Sequence, residues 1–332
     1  MAHKAESSAS PQSSAAENAA YREQCADAVL MVRPACFGYN AETAATNTLQ
    51  PRQGPEVPGA AQKARDEFEQ LRGALESEGV SVCAVDDSTP PARPDAVFPN
   101  NWVSFHEDGT VVLYPMQAVS RRAERRRELI DAVARQLRFR VSRELDLTCY
   151  EHEGAFLEGT GSLVLDHTRR VAYASLSPRT HGRVVAHWAR ELGYEAVTFT
   201  ATDPAGVPLY HTNVMMAIGA RFAVVGSETI VPEDRQRVLA RISESGREVI
   251  EIGHTEIAQF AGNILELGTW DEALGDARVL VMSESARRAL RPEVYAVLSG
   301  CSDAVLAVPV PTIERLGGGS VRCMLAEVFR RA

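Results

Sequence analysis

The chain has 332 residues, 45% of them hydrophobic, and a net charge of −9 at pH 7. That supplies a large core, and by length alone about two domains. The acid balance argues against nucleic acid as the main partner, because a phosphate backbone needs a basic face. There is no apolar run of about 18 residues to suggest a membrane helix, and the opening MAHKAESSAS lacks the basic start and apolar stretch of a signal peptide.

Residues 1–27 are rich in Ala, Ser, Glu and Gln and poor in apolar periodicity, which predicts a disordered tail with room for a short helix over 19–26. From Ala28 onward no linker-like stretch interrupts the chain, so residues 28–332 are expected to form a single catalytic domain. Within it one unit repeats: a first strand, an amphipathic helix, a loop and a second strand that starts with polar residues. The first strands read VLMVRP (29–34), TVVLYPM (110–116), RVAYASLS (170–177), FAVVGSE (222–228) and RVLVMSE (278–284). Helices are predicted over 61–77, 122–137, 181–193 and 232–245, where apolar residues recur every three or four positions.

The second strands are expected over 97–106, 156–166, 210–219, 260–268 and 317–327. Their Phe98, Phe156, Tyr210, Phe260 and Gly317 lie 58, 54, 50 and 57 residues apart. An ordinary doubly wound sheet also alternates strand and helix. What favours a ring of five α/β modules is the polar or glycine-rich start of every second strand. In a pseudo-symmetric ring those starts converge on one axis, where a small-molecule site would sit.

Three of these starts carry candidate chemistry. Cys323 follows three glycines in GGGSVRC, His211 stands in YHTN, and Glu158 lies among glycines and apolar residues in LEGTGS. Any one of them alone is weak, since a single cysteine is more often a small buried apolar residue than a nucleophile. All three occupy the same place in the repeat, and together they fit a thiolate, a proton carrier and an orienting carboxylate. The six cysteines are scattered with no C-x-x-C pair, which reads as reduced thiols and a cytoplasmic location. Cys149, Glu151 and His152 in CYEHEG lack a second half with ligand spacing, so neither a metal nor any other cofactor is inferred.

The set LEGTGS, YHTN and GGGSVRC resembles the signature regions of the guanidine-modifying superfamily, which holds arginine deiminases, dimethylarginine dimethylaminohydrolases and amidinotransferases. The resemblance spans roughly residues 28–330 and implies a five-bladed pseudo-symmetric α/β propeller, the pentein-like fold, in agreement with the repeat count. It implies Cys323 as nucleophile, His211 as proton carrier and Glu158 as the carboxylate. PMQAVSRRAE (115–124) and SLSPRT (175–180) resemble the segments whose arginines grip a substrate carboxylate, which places that role on Arg121 and Arg179. A guanidinium fork suits a carboxylate.

Two departures bear on the substrate. Arginine deiminases usually carry F-x-R-D and H-x-D where this chain has FPNN and HTN, so Asn101 and Asn213 stand in place of aspartates. Amides remove two negative charges and offer donors as well as acceptors, which suits a neutral ureido group. FPNNW is similar to citrulline-utilisation hydrolases, and an asparagine at the first position is also found in arginine and succinylarginine dihydrolases. The resemblance therefore implies a hydrolase that converts citrulline to ornithine, ammonia and carbon dioxide. Arginine or dimethylarginine (di)hydrolase or deiminase activity, an amidinotransferase, and a non-catalytic binding protein on the same propeller are the alternatives. The expected partner is a small amino-acid substrate, not nucleic acid or membrane; a homo-oligomer is left open. Asp95, just before FPNN, is expected to support the site from behind.

Overall fold

The computed structural model describes residues 22–330 apart from 53, 55, 56 and 272–274. Its strands fall into five groups with one recurring pattern. In the third module, β6 (Val164–Asp166) runs antiparallel to β7 (Val171–Ser175), helix Gly182–Leu192 crosses over, and β8 (Glu195–Phe199) returns parallel to β7. The fourth repeats this with β9 (Met216–Ile218), β10 (Phe222–Val225), helix Pro232–Ser243 and β11 (Glu248–Glu251). The fifth uses β12 (Leu265–Asp271), β13 (Gly275–Ser283), helices Glu284–Ala289 and Pro292–Ser299, and β14 (Ala304–Val308). The second uses β3 (Val103–Phe105), β4 (Thr110–Leu113), helix Arg127–Gln136 and β5 (Arg143–Asp146).

The first module is assembled from both ends of the sequence. β1 (Ala28–Arg33) pairs in parallel with β2 (Ser81–Asp86) across helix Ala60–Ser77, and antiparallel with β15 (Ala326–Val328). β15 also meets β3 at Val328 and Phe105, so the first two modules share a six-stranded sheet, β2-β1-β15-β3-β4-β5. The other three sheets have three strands each.

Among the described residues no sheet closes on itself; the ring closes by packing. One apolar cluster joins Leu30 and Val32 to Val111 and Leu129, bridging modules one and two. The next joins Val112 and Leu145 to Ala172 and Trp188, bridging two and three. A third runs from Tyr173 through Val224 to Leu280 and Met282, covering three, four and five. The last joins Val279 and Val281 to Met31 and Phe68 and so returns to module one. The helices reach these clusters with the predicted spacing. Ala64, Phe68, Leu71 and Leu75 are the buried residues of helix Ala60–Ser77. The ring of five α/β modules read from the repeat, and the pentein-like α/β propeller that the resemblance implies, is therefore the observed architecture.

Three details depart from the sequence expectation. The loop that follows each helix holds a further strand, β2, β5, β8, β11 or β14. Secondly, four of the five polar starts are single helical turns, with strand only after them: Pro99–Asn101, Gly159–Ser162, Thr212–Val214 and Val321–Met324. The third concerns the tail assigned to residues 1–27. Residues 1–21 lie outside the described residues, but Gln24, Cys25 and Ala26 are buried. The side chain of Gln24 explains why: Nε2 donates to the Leu165 carbonyl at 3.1 Å and the Ile218 carbonyl at 3.2 Å. Its Oε1 accepts from the His167 N–H at 3.0 Å and from Arg247 at 3.2 Å. One amide thus joins the inner strands of modules three and four.

Gln24→Ala would strip one buried and one part-buried carbonyl of their donor. Unmade hydrogen bonds of this kind cost about 2–3 kcal/mol together, so the variant should show a lower denaturant midpoint with an unchanged slope. An unshifted midpoint would mean that this amide does not brace the ring.

Candidate active site

The helical turns at the polar starts are fixed by apolar neighbours. Phe98, Leu157, Tyr210, Val214, Val321 and Met324 are all buried, which leaves the polar residues between them to face the axis. All seven residues singled out from the sequence are at most 3% exposed: Glu158, His211, Cys323, Asn101, Asn213, Arg121 and Arg179. A cavity of about 280 Å³ is lined by Asn101, Arg121, Arg179, His211 and Cys323, together with Asp95, Thr43, Tyr210 and Gly317–Gly319. Glu158 and Asn213 adjoin this lining, Glu158 in contact with His211 and Asn213 with Cys323.

Glu158 Oε2 lies 2.9 Å from His211 Nε2 and 3.4 Å from Arg179 Nη1, and Oε1 accepts the Gln117 N–H at 3.0 Å. Burial pushes this carboxyl up, but Arg179, the His211 hydrogen bond and Arg121 overcome it and hold it at about 2. For His211, burial outweighs the pull of Glu158 and brings the ring down to about 4, so it is neutral at pH 7. A carboxylate can only accept, so Nε2 carries the proton and Nδ1 is the basic nitrogen. Space for that face is made by Gly161, where a Cβ would stand 2.7 Å from His211 Nδ1 and 2.5 Å from Asn101 Nδ2.

Arg121, which the basic run Arg121–Arg127 could have left in solvent, is the buried member. Its Nε and Nη2 form a fork on Glu124 at 2.9 and 2.8 Å, and Nη1 donates to Asn101 Oδ1 at 2.8 Å. Burial works against this cation and Glu124 more than restores it. Glu124 itself is raised to about 7, because burial exceeds the opposing effect of Arg121. Arg179 donates to Thr46 Oγ1 at 2.9 Å and to the Thr43 carbonyl at 2.6 Å, in addition to Glu158. Among the described residues, these partners take three of the five N–H groups of a guanidinium, leaving two toward the cavity. Asp95 lies 4.0 Å from Arg121 Nε and accepts from Asn40 at 2.7 Å. Burial raises its carboxyl against the opposing charge of Arg121. It lines the cavity directly, where the sequence reading had placed it behind the site.

Asn101 is oriented by charge. A guanidinium at Nη1 requires the oxygen side of the amide, so Nδ2 is the group turned elsewhere, and it is buried without a partner among the described residues. Asn213 places Nδ2 at 3.7 Å from Cys323 Sγ and leaves Oδ1 buried and unpartnered. Two residues missed by the sequence reading complete the site. One is Glu124, hidden in a run of arginines. The other is Asn263, whose Nδ2 is 3.2 Å from Cys323 Sγ. A signal for Asn263 was present, because Phe98–Asn101, Tyr210–Asn213 and Phe260–Asn263 share the spacing aromatic-x-x-Asn. CYEHEG, by contrast, is structural: Glu151 pairs with Arg125 at 2.5 Å.

Comparison with known proteins bears on the fold and the family. The chain resembles the substrate-bound N-terminal domain of a cysteine-to-serine variant of ArgZ, an arginine dihydrolase from the ornithine-ammonia cycle in cyanobacteria. The TM-score is 0.70 at 16% identity, over 92% of this chain and 98% of that one. Against full-length ArgZ without ligand the TM-score is 0.69 at 16% identity, and the 92% of this chain that aligns spans 41% of that protein. A dimethylarginine dimethylaminohydrolase carrying a 4-chloro-2-hydroxymethylpyridine adduct gives 0.59 at 16% identity, over 91% and 99% of the two chains. At this identity the likenesses establish the fold. None of the curated proteins matches the chain. The family model described as N,N dimethylarginine dimethylhydrolase, eukaryotic, matches residues 33–330. The chain belongs to that family, within the guanidine-modifying superfamily, and is a hydrolase of carbon–nitrogen bonds other than peptide bonds.

Proposed function

We propose that the chain hydrolyses a linear ureido or guanidino α-amino acid through a covalent Cys323 intermediate, with citrulline converted to ornithine, ammonia and carbon dioxide. The observation that carries this reading is the pair of amides at the reacting end. Asn101 presents a donor, fixed as such by Arg121, and Asn213 retains an unpartnered acceptor beside Cys323. A ureido group has one carbonyl acceptor and N–H donors, and so complements one of each. A guanidinium offers donors only, and would meet Asn101 donor to donor. Its charge would also need an answering anion, while Glu158 is already paired with Arg179. At the other end, the remaining N–H groups of Arg179 and Arg121 suit a carboxylate, and Asp95 suits an ammonium.

The proposed steps balance. Cys323 Sγ adds to the ureido carbon as His211 Nδ1 takes the thiol proton. The oxyanion that forms faces Asn101 Nδ2. His211 passes the proton to the departing nitrogen, the C–N bond breaks, and a thiocarbamate remains on Cys323. Water, deprotonated by His211, then adds to the same carbon, and the C–S bond breaks. The product is a carbamate, which loses carbon dioxide to leave the second amine. A second reading, arginine as first substrate with citrulline as intermediate, is favoured by the Glu158 anion and by the likeness to an arginine dihydrolase. Six free cysteines fit the cytoplasmic location. No helix among the described residues is long and apolar enough to cross a membrane.

Incubation with citrulline, arginine and dimethylarginine side by side, with product analysis, tests the assignment. Citrulline should give ornithine, and Cys323→Ser should cut kcat/KM by at least about a thousandfold with the fold unchanged. Turnover that survives this change would remove Cys323 as nucleophile.

The double variant Asn101→Asp, Asn213→Asp should shift preference toward arginine by about tenfold or more, which corresponds to about 1.4 kcal/mol of differential binding. If wild type already prefers arginine and stops at citrulline, the neutral-site reading is wrong.

The pH profile has a definite sign. His211 is held near 4 in the folded protein against an ordinary 6.5. Its lowered value means the ring stays neutral, and its contribution to stability is full above 6.5 and lost as pH falls toward 4. The acid limb of kcat/KM should therefore fall near pH 4. A limb at the ordinary imidazole value of 6.5 would show that burial does not lower His211.

A further inference from the structure

Asn263 is fully buried, and both hydrogens of its amide are accounted for. Nδ2 donates to the Asn213 carbonyl at 3.1 Å and lies 3.2 Å from Cys323 Sγ. The first contact sets the orientation, because a flipped amide would put oxygen against that carbonyl. The second N–H is thereby aimed at the sulfur. Among the described residues, Sγ accepts from the Nδ2 groups of Asn213 and Asn263, and as a thiol it can donate to Asn263 Oδ1 at the longer distance of 3.6 Å; no charged group is a hydrogen-bond partner.

The turn that carries Asn263 is built for this approach. It closes through Asn263 N–H to the Phe260 carbonyl at 2.8 Å, and Phe260 takes a φ of 63°, which non-glycine residues seldom adopt. Gly262 presses against the neighbouring turn: a Cβ there would stand 2.5 Å from the Val214 carbonyl oxygen. Only a residue without a side chain lets these two turns meet and brings Asn263 to the Asn213 carbonyl.

We propose that Asn263 is a positioning residue for the nucleophile: clamped by Asn213, its amide holds the Cys323 sulfur toward the cavity and stabilises the thiolate with a directed N–H. The proposal rests on Cys323 as nucleophile and is independent of which substrate is used. A neutral donor at that position fits the neutral site. A cation beside the sulfur would instead favour the thiolate by charge and add to the repulsion of any cationic substrate.

The test compares Asn263→Ala with the near-isosteric Asn263→Asp. The rate of Cys323 alkylation by iodoacetamide at pH 7 is followed by peptide mass spectrometry, which separates it from exposed Cys149. With the fold intact by circular dichroism, alkylation of Cys323 should slow by about tenfold or more, the value of a lost hydrogen bond to a charged group. Asn263→Asp should be slower than Asn263→Ala, since a carboxylate replaces the donor, and kcat should fall about tenfold to a hundredfold with KM within about threefold. A packing role would give the two variants equal effects or move KM instead. Alkylation at the wild-type rate in either variant overturns the proposal. Should neither variant fold, wild type carries the test. Methylthiolation of Cys323 should move the side-chain amide resonance of Asn263, and an unmoved resonance overturns it. Alkylation and methylthiolation need no substrate, so failure of the citrulline reading leaves this result distinguishable.

Discussion

A carboxylate cut off from water has to be answered by the protein around it, and Glu158 is answered from three directions. The Gln117 backbone N–H comes from module two, Arg179 follows the central strand of module three, and His211 precedes the inner strand of module four. Arg179 extends the chain of dependence, since it also holds Thr43 and Thr46 in the segment that roofs the cavity. Removing one partner of a buried ion pair typically costs about 3–5 kcal/mol, because the other charge is left unpaired. The same contacts that make Glu158 tolerable therefore set the proton on His211 Nε2, fix the ring and register three modules about one axis.

In the proposed reaction the site separates its charges from its reacting end. Arg121 is balanced by Glu124 and Arg179 by Glu158, and each cation then lends direction to a neutral or weakly basic group. Arg121 decides which end of the Asn101 amide faces inward, and Glu158 decides which nitrogen of His211 is bare. Ionic interactions here act mainly as orienting devices. In a buried setting that use is effective, since a charge-assisted hydrogen bond selects one rotamer or tautomer over its alternative by about 1.5–3 kcal/mol.

Much of this was legible in the sequence, for identifiable reasons. The central strands are buried along most of their length and read as near-continuous apolar runs, as VLMVR in β1 and FAVV in β10 do. The strands that follow the helices were not legible. β8 and β11 are edge strands that mix exposed and buried residues, EAVTF and EVIE, and their charge and brevity read as loop. Gln24 could not be found from local pattern either, because its partners are 141 and 194 residues away. Glu158, His211 and Cys323 stood out as candidates because each sits at a repeated position, whereas Arg121, Arg179, Asn101 and Asn213 were read from the family resemblance; the structure gathers all seven in and around one cavity. Glu124 was not, since its reason for being buried is Arg121, and a pairing inside RRAERRR has no periodic mark. That pairing also breaks the helix expected over 122–137, which becomes a helical turn at Val119–Glu124 and a helix from Arg127.

Asn263 shows how the repeat itself distributes labour. Three modules end their inner turn on asparagine at the same spacing after an aromatic residue, and the ring places each amide differently with respect to one sulfur. Asn263 donates to it at 3.2 Å, Asn213 reaches it at 3.7 Å and is itself held by Asn263, and Asn101 stands across the cavity under the control of Arg121. The remaining two turns supply Glu158, which hydrogen-bonds His211, and Cys323. An approximate fivefold axis can thus bring five copies of one turn to the same small volume, but equivalent positions around an axis face a common centre from different sides. Identical side chains there need not be redundant: one amide can hold the nucleophile, one can face the substrate carbonyl, and one can accept from the substrate nitrogen.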